Sequence, residues 1–309
     1  MTFQAPIIPR SACFANLACF LMDILYNQGM ELGEGGAKKH PPVYYWRWVV
    51  VLLVATILGV WMSFTPEGIF GKADAVGYAV CHRIDLRSFH IGDRQFPLCA
   101  RCTGQYLGAL TGLVFQAVVN RKRAGSPPKR VIVGLVLLAG LYGLDGVNSY
   151  LHLPPLVKAF PNMMLLYEPN NVLRLLTGTG MGLVISAALY PAFVSTVYRQ
   201  YDRSPALPGL KVLIGMAVFA LAISSLALTN LDWVLYPLAL ISSAGILVLL
   251  TTIYTIVLLM AFRLDNRYDR LSQVIFPVLA ALCIAILQIA IMDIGRFLLT
   301  GTWGEIPLG

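Results

Sequence analysis

The sequence predicts an all-α fold, a polytopic bundle of about seven transmembrane helices (six to eight). Three observations predict it. Hydrophobic residues make up 58% and charged residues 12%, where a soluble domain carries about 25% charged. Mean hydropathy is +0.72. Apolar runs long enough to cross a bilayer, about 20 residues each, recur along most of the chain.

In order, those runs are Tyr44–Phe64, Thr103–Val119, Val131–Tyr150, Val172–Val194, Leu210–Leu228, Val234–Phe262 and Leu271–Ile294. Tyr44, Tyr45, Trp46 and Trp48 on one side of the first run, and Trp61 and Phe64 on the other, read as an interfacial aromatic belt. Residues 1–40 precede the spans as a tail. Its apolar run is broken by Asp23 and lacks a small-residue cleavage site, so it is not read as a signal peptide; translation starting at Met30 is an alternative. The helical domain is expected over residues 41–300, with a Cys/His loop over residues 65–102, and residues 301–309 form a C-terminal tail.

Charge gives an orientation. The formal net charge is +8, yet no basic helix or aromatic-basic module points to nucleic acid. Lys38 and Lys39, then Arg121, Lys122, Arg123, Lys129 and Arg130, then Arg199, Arg203 and Lys211, then Arg263, Arg267 and Arg270 fall on one side if spans alternate. The positive-inside rule makes that side cytoplasmic. The expectation is therefore an integral protein of a prokaryotic cytoplasmic membrane, N-terminus cytoplasmic and Cys/His loop extracytoplasmic, with the bilayer as partner and a small-molecule or lipid ligand allowed for.

Polar groups inside spans are costly, and they gather at the other, outer end. Gln105, Asp145, Asn148, Arg174, Gln288, Asp293 and Arg296 all lie there. Asp145, Asn148 and His152 share one helix face by spacing. Asn170 or Asn171 can cap the helix that carries Arg174, and Gly178, Gly180 and Gly182 would let another helix approach closely. The plain reading of Asp145 and Arg174 is an ion pair between their helices; that of His152 is an interfacial side chain.

"CHRIDLRSFHIGDRQFPLCARCTG", Cys81 to Gly104, is where cysteines and histidines crowd together. Six cysteines in a chain of 309 residues make no disulfide scaffold; Cys13, Cys19 and Cys283 read as buried apolar residues. Cys99 and Cys102 form a CxxC, and Cys81, His82 and His90 arrive from upstream, so a tetrahedral metal site is the leading expectation, with zinc fitting the mixed shell. Adjacent Cys81 and His82 are not both expected as ligands. If such a site were hydrolytic, Asp145 or Glu168, with His152 a further catalytic candidate, would act near a metal-bound water. Two alternatives stay open at these cysteines. Cys102 at a helix start, beside Arg101 and Arg94, suits a thiolate, which would allow a thiol oxidoreductase coupled to quinone, although Cys81 alone is left for a relay. An inert disulfide, Cys99–Cys102 or Cys81–Cys102, is the other.

Arg87, Arg94, Arg101 and Arg174, with Lys72, form a candidate anion site, for arginine suits bidentate contacts; Asn148 and Asn171 are candidate polar contacts in the same site. The first three arginines could equally balance Asp85 and Asp93 on a solvated loop. A transporter or channel for a small or anionic solute is a third reading, motivated by Asp145, Arg174 and Asp293 and weakened by the lack of an inverted repeat.

From Cys81 to Gly182 the sequence resembles the predicted membrane proteins of domain-of-unknown-function family 2085. The residues that carry the likeness are "CHR", "RSFHIGDRQFPLCARCTGQYLG", "DGVNSYLH" and "NNVLRLLTGTGMG". The resemblance implies a membrane protein with signature residues Cys81, His82, Arg87, Ser88, Phe89, Cys99, Arg101, Cys102 and Gly104, and no particular activity.

Overall fold

The computed structural model describes residues 43–159, 166–229 and 231–304. Readings that fall on the N-terminal tail, on Lys38 and Lys39, on Cys13 and Cys19 and on the side chains of Tyr44, Tyr45 and Trp46 lie outside the described residues. Among those described, the fold is a helix bundle. Helices α1 (Val43–Phe64), α2 (Gly68–Val80), α3 (Ala100–Val119), α4 (Lys129–Leu151), α5 (Pro154–Ala159), α6 (Asn171–Val197), α7 (Leu210–Ser225), α8 (Asp232–Ala261) and α9 (Ile275–Thr300) are joined by two small sheets, β1 (Ser88–Ile91) with β2 (Arg94–Cys99) and β3 (Arg123–Gly125) with β4 (Asp202–Pro205). Six helices are long and apolar enough to span a bilayer, and α1 with α2 forms a further pair bent by 97°.

That bent pair departs from the sequence reading, which placed Gly68–Val80 in an irregular loop. The segment is helical and buried almost all round: Val76 packs with Leu98 and Ile289, Phe70 with Phe96 and Leu235, and Tyr78 bonds Thr300 of α9. Gly68 turns the corner at φ 77°, a conformation that glycine adopts without a Cβ penalty. Lys72 fixes the bend: its ammonium donates to the Thr65 carbonyl and hydroxyl, both at 2.9 Å, and to the Met62 carbonyl at the end of α1. Orphan carbonyls at a helix C-terminus are satisfied by a lysine in this way.

The centre of the bundle is the seam between α3 and α6. Gly104, Gly108 and Gly112 repeat every fourth residue and face Leu175, Thr179 and Ser186; Gly178 and Gly182 face Arg101 and Gln105 in return. A Cβ at Gly108 would stand 2.5 Å from the Thr179 carbonyl oxygen, so the backbones could not come this close with larger residues. Gly180 instead faces Leu138 of α4.

One end of the bundle collects the basic linkers. β3 pairs with β4, Tyr198 bridges Tyr268, the Lys122 ammonium donates to the Asp269 carbonyl at 3.1 Å, and the Asn266 amide donates to the Thr196 carbonyl at 2.7 Å. These contacts tie together the links after α3, α6 and α8. The opposite end carries the cysteines.

Candidate functional site: a three-cysteine cluster beside an arginine-rich polar network

Each cysteine is positioned by a separate local feature. Cys81 caps the C-terminus of α2, its amide donating to the Gly77 carbonyl. The loop it opens is clamped by Arg296 of α9, which donates to the carbonyls of Tyr78 (2.6 Å), Cys81 and His82 (3.2 Å) and stacks on the Tyr78 ring at 3.9 Å. Cys99 ends β2 and is the N-cap of α3. The hairpin that delivers it turns on Gly92 at φ 55°, where Ile91 pairs with Arg94 across a two-residue Gly-Asp connection, a turn favoured by glycine. Cys102 follows one turn into α3.

The three sulfurs lie within 4.8 Å of one another. Cys81 and Cys99 are buried, Cys102 is partly so, and all three are free thiols. The Cys99 amide donates to the Cys81 sulfur at 3.3 Å. The neighbouring Cys102 and Cys99 side chains, donating to the Cys81 sulfur, hold its thiol well below the ordinary range, although burial opposes them. Sulfurs this close, at the N-terminus of a long helix, favour at least one thiolate.

Neither histidine joins them. The His82 Nδ1 accepts from the Ile84 amide at 3.0 Å, and the exposed His90 pairs through Nε2 with Asp85 at 2.8 Å. Phe89 and Ile91 pack against Phe96 and Leu235, and His90 between them is exposed. The cluster among the described residues is thus all-sulfur.

Beside it lies a polar network that joins four elements. Asp145 of α4 is 1% exposed and accepts from Arg101 Nε (3.0 Å) and Nη2 (2.5 Å), the Tyr167 hydroxyl (2.7 Å) and the Thr177 hydroxyl (3.2 Å). The ion pair expected between Asp145 and Arg174 is therefore replaced by Asp145 with Arg101. The α3–α6 seam brings the start of α3 against Gly178, and the Arg101 side chain fills the space between α4 and α6. Arg174 turns back to Asn171, with Nη1 to Oδ1 at 2.9 Å. The Asn171 amide reaches the carbonyls of Leu86 (3.4 Å) and Ser88 (3.5 Å).

Asn148 holds the segment after α5, its Oδ1 accepting from the Leu166 amide (3.1 Å) and its Nδ2 donating to the Tyr167 carbonyl (2.9 Å). Burial, and then the bond to Asp145, push the Tyr167 phenol up to about 12, so it stays a donor. His152 does not join Asp145 and Asn148: its Nδ1 bonds the Asn148 carbonyl at 2.8 Å within its own helix. Glu168 is exposed on the loop. Asn170, not Asn171, is the cap of α6, accepting from the Leu173 amide at 2.8 Å.

Arg94 and Lys72 stand apart from this network. Arg94 shares Asp74 with Arg83, at 2.8 and 2.9 Å, and lies over the Phe70 ring, while Lys72 holds the α1–α2 corner. Arg87 does join: its Nη2 donates to the Ser149 carbonyl at 3.0 Å, and Arg101 Nη2 donates to the Ser149 hydroxyl at 2.8 Å. Sequence reasoning missed Ser149, Tyr167, Thr177 and the clamping role of Arg296. Ser149 stands four residues after Asp145 and Thr177 three after Arg174, so helical spacing carried a signal for both.

Residues 81–188, which hold the cysteines and most of this network, match the family described as predicted membrane protein (DUF2085). An uncharacterised protein of Methanothermobacter thermautotrophicus is 35% identical over 108 residues, covering 34% of this chain and 82% of that protein. The chain belongs to the DUF2085 family. A second relative, the uncharacterised protein MJ1492 of Methanocaldococcus jannaschii, is 26% identical over 129 residues, 41% of this chain and 72% of its own length. No solved structure matches the chain.

Proposed function

We propose that this member of the DUF2085 family is an integral membrane protein built around a thiolate metal site, with Cys81, Cys99 and Cys102 as ligands and zinc as the ion that fits best. The observation that carries the reading is the convergence of three free sulfurs within 4.8 Å from separate elements. A single tetrahedral ion can take all three, leaving one position for water or another ligand, and zinc accepts an all-sulfur shell readily. Metal binding would also tie α2, the hairpin and α3 together at the apolar cluster that joins Val76, Leu98 and the cysteines. The role is structural in the first instance. Asp145, one base that a hydrolytic site could use, is held in the ion pair with Arg101 and accepts from the Tyr167 hydroxyl, and Glu168, the other, is exposed on the loop.

Cobalt substitution tests the assignment. Detergent-purified protein loaded with Co2+ is expected to show sulfur-to-metal charge-transfer absorption that drops in Cys99→Ser and is unchanged in Cys283→Ser. Protein that gives no such band, with intact thiols, rules the site out.

A second reading is favoured by a cavity of about 620 Å³ between α1 and α9, lined by residues that include Trp61, Ile286, Asp293 and Phe297. Trp61 also packs against the buried cluster that holds Cys81 and Cys99. A lipid-phase quinone in that cavity would stand against Trp61, the side chain that packs on the cluster holding two of the sulfurs. Cys99 and Cys102 would give up two electrons and two protons on forming a disulfide, and the quinone would take both to become the quinol. Cys81 is placed to relay by thiol exchange. A Cys99–Cys102 pair that is neither oxidised by a soluble ubiquinone analogue nor re-reduced by dithiothreitol excludes this reading.

A further inference from the structure

We propose that Arg87, Arg101 and Arg174 form a binding site for a phosphoryl oxyanion at the cysteine-bearing end of the bundle, independent of whether the sulfurs hold a metal. Hydrogen bonds bring the three guanidinium groups together. Arg87 and Arg101 both end on Ser149, one on its carbonyl and one on its hydroxyl. Arg101 reaches Asp145, and the Thr177 hydroxyl lies between Asp145 (3.2 Å) and the Arg174 carbonyl (3.3 Å), within reach of either. Asn171 closes the ring, accepting from Arg174 and donating to the backbone on both sides of Arg87.

Three positive charges then share one buried carboxylate, Asp145, and Arg101 has already claimed it. Arg174 is 7% exposed, and its Nε has no hydrogen-bond partner among the described residues. A buried guanidinium with an idle donor is costly, and it marks a place where an acceptor belongs. The acceptor must be anionic, because among the described residues no carboxylate forms an ion pair with Arg87 or Arg174. It must also offer several oxygens, because donors arrive from more than one direction. Phosphoryl groups meet both demands, and arginine forks bind them bidentately. The N-terminus of α6, which carries Asn171 and Arg174 in its first turn, adds favourable potential for an anion.

A free phosphate compound and an anionic lipid headgroup present the same chemistry here, so the test has two arms. Detergent-purified full-length protein is titrated with inorganic phosphate, against sodium chloride at matched ionic strength, and its thermal midpoint is followed. In parallel, protein in nanodiscs of phosphatidylcholine with or without phosphatidylglycerol is measured in the same way. A saturable rise with phosphate assigns the site to a solute. A rise seen only with phosphatidylglycerol assigns it to a headgroup.

In either arm Arg174→Gln is expected to weaken binding by tenfold or more, Arg174→Lys to fall between it and the parent, and Arg94→Gln to leave binding unchanged. Arg87→Gln, whose side chain lies outside the spanning helices, gives the same reading if Arg174→Gln fails to fold. Absence of a saturable rise in both arms overturns the proposal, as does a rise of equal affinity in the parent, Arg174→Gln and Arg87→Gln.

Discussion

Two ion pairs stand at opposite ends of α3, about 30 Å apart for a helix of this length, and they behave as different kinds of interaction. Arg101–Asp145 joins side chains that are 16% and 1% exposed. Arg123–Asp202, at 3.4 Å, joins side chains that are 41% and 53% exposed. Hydrogen bonds from Ser204 hold the Asp202 carboxyl below its ordinary range, and Arg123 contributes less. Charge at the linker end is plentiful, solvated and weakly coupled. At the cysteine end the Arg101–Asp145 pair is buried and bound to Ser149, Tyr167 and Thr177. Burial of charge, rather than its count, marks the site.

Substitutions should sharpen that contrast, and the largest effect is expected at the sulfurs. Cys81→Ser, Cys99→Ser and Cys102→Ser should each reduce bound metal to below about a tenth of the parent's level, since removing one of three thiolates destroys the shell; elemental analysis reads this out. Next comes Asp145→Leu, which leaves Arg101 buried without its partner and should cost about 3–5 kcal/mol, visible as a lowered thermal midpoint and loss of monodisperse protein. Gly178→Ala places a methyl group against the Arg101 carbonyl across the α3–α6 seam and should cost about 1–3 kcal/mol. Smallest of all, Arg123→Gln at the linker end should leave the thermal midpoint unchanged. A midpoint lowered as much by Arg123→Gln as by Asp145→Leu would erase the distinction between the two ends.

The bundle was legible because hydrophobic length is a strong signal. The last six spans begin and end within a few residues of the helices observed, except at the last helix, which starts at Ile275 after a short 3-10 turn at Leu271–Val274 and runs past Ile294 to Thr300. The α2 helix was missed because its apolar face is interrupted by Lys72 and Asp74, which read as loop until their partners are known. At the site, Cys99 and Cys102 are three positions apart and helical geometry suffices to join them. Cys81 arrives only because α2 folds back onto α9, where Arg296 is waiting, and that is a tertiary fact. Both histidines drew attention as residue types, yet neither joins the sulfur cluster: one ring nitrogen of His82 meets the Ile84 amide and one of His90 meets Asp85. Asp145 was recognised as costly and therefore paired. Its partner depended on which neighbours the glycines of α3 and α6 allow to approach.

The most direct test of the three-sulfur centre is elemental analysis combined with thiol counting on the detergent-purified parent protein. The account predicts about one zinc ion per chain, with Cys81, Cys99 and Cys102 protected from iodoacetamide until a chelator is added. Metal-free protein whose three cysteines alkylate at once, at the same rate with or without chelator, would contradict it.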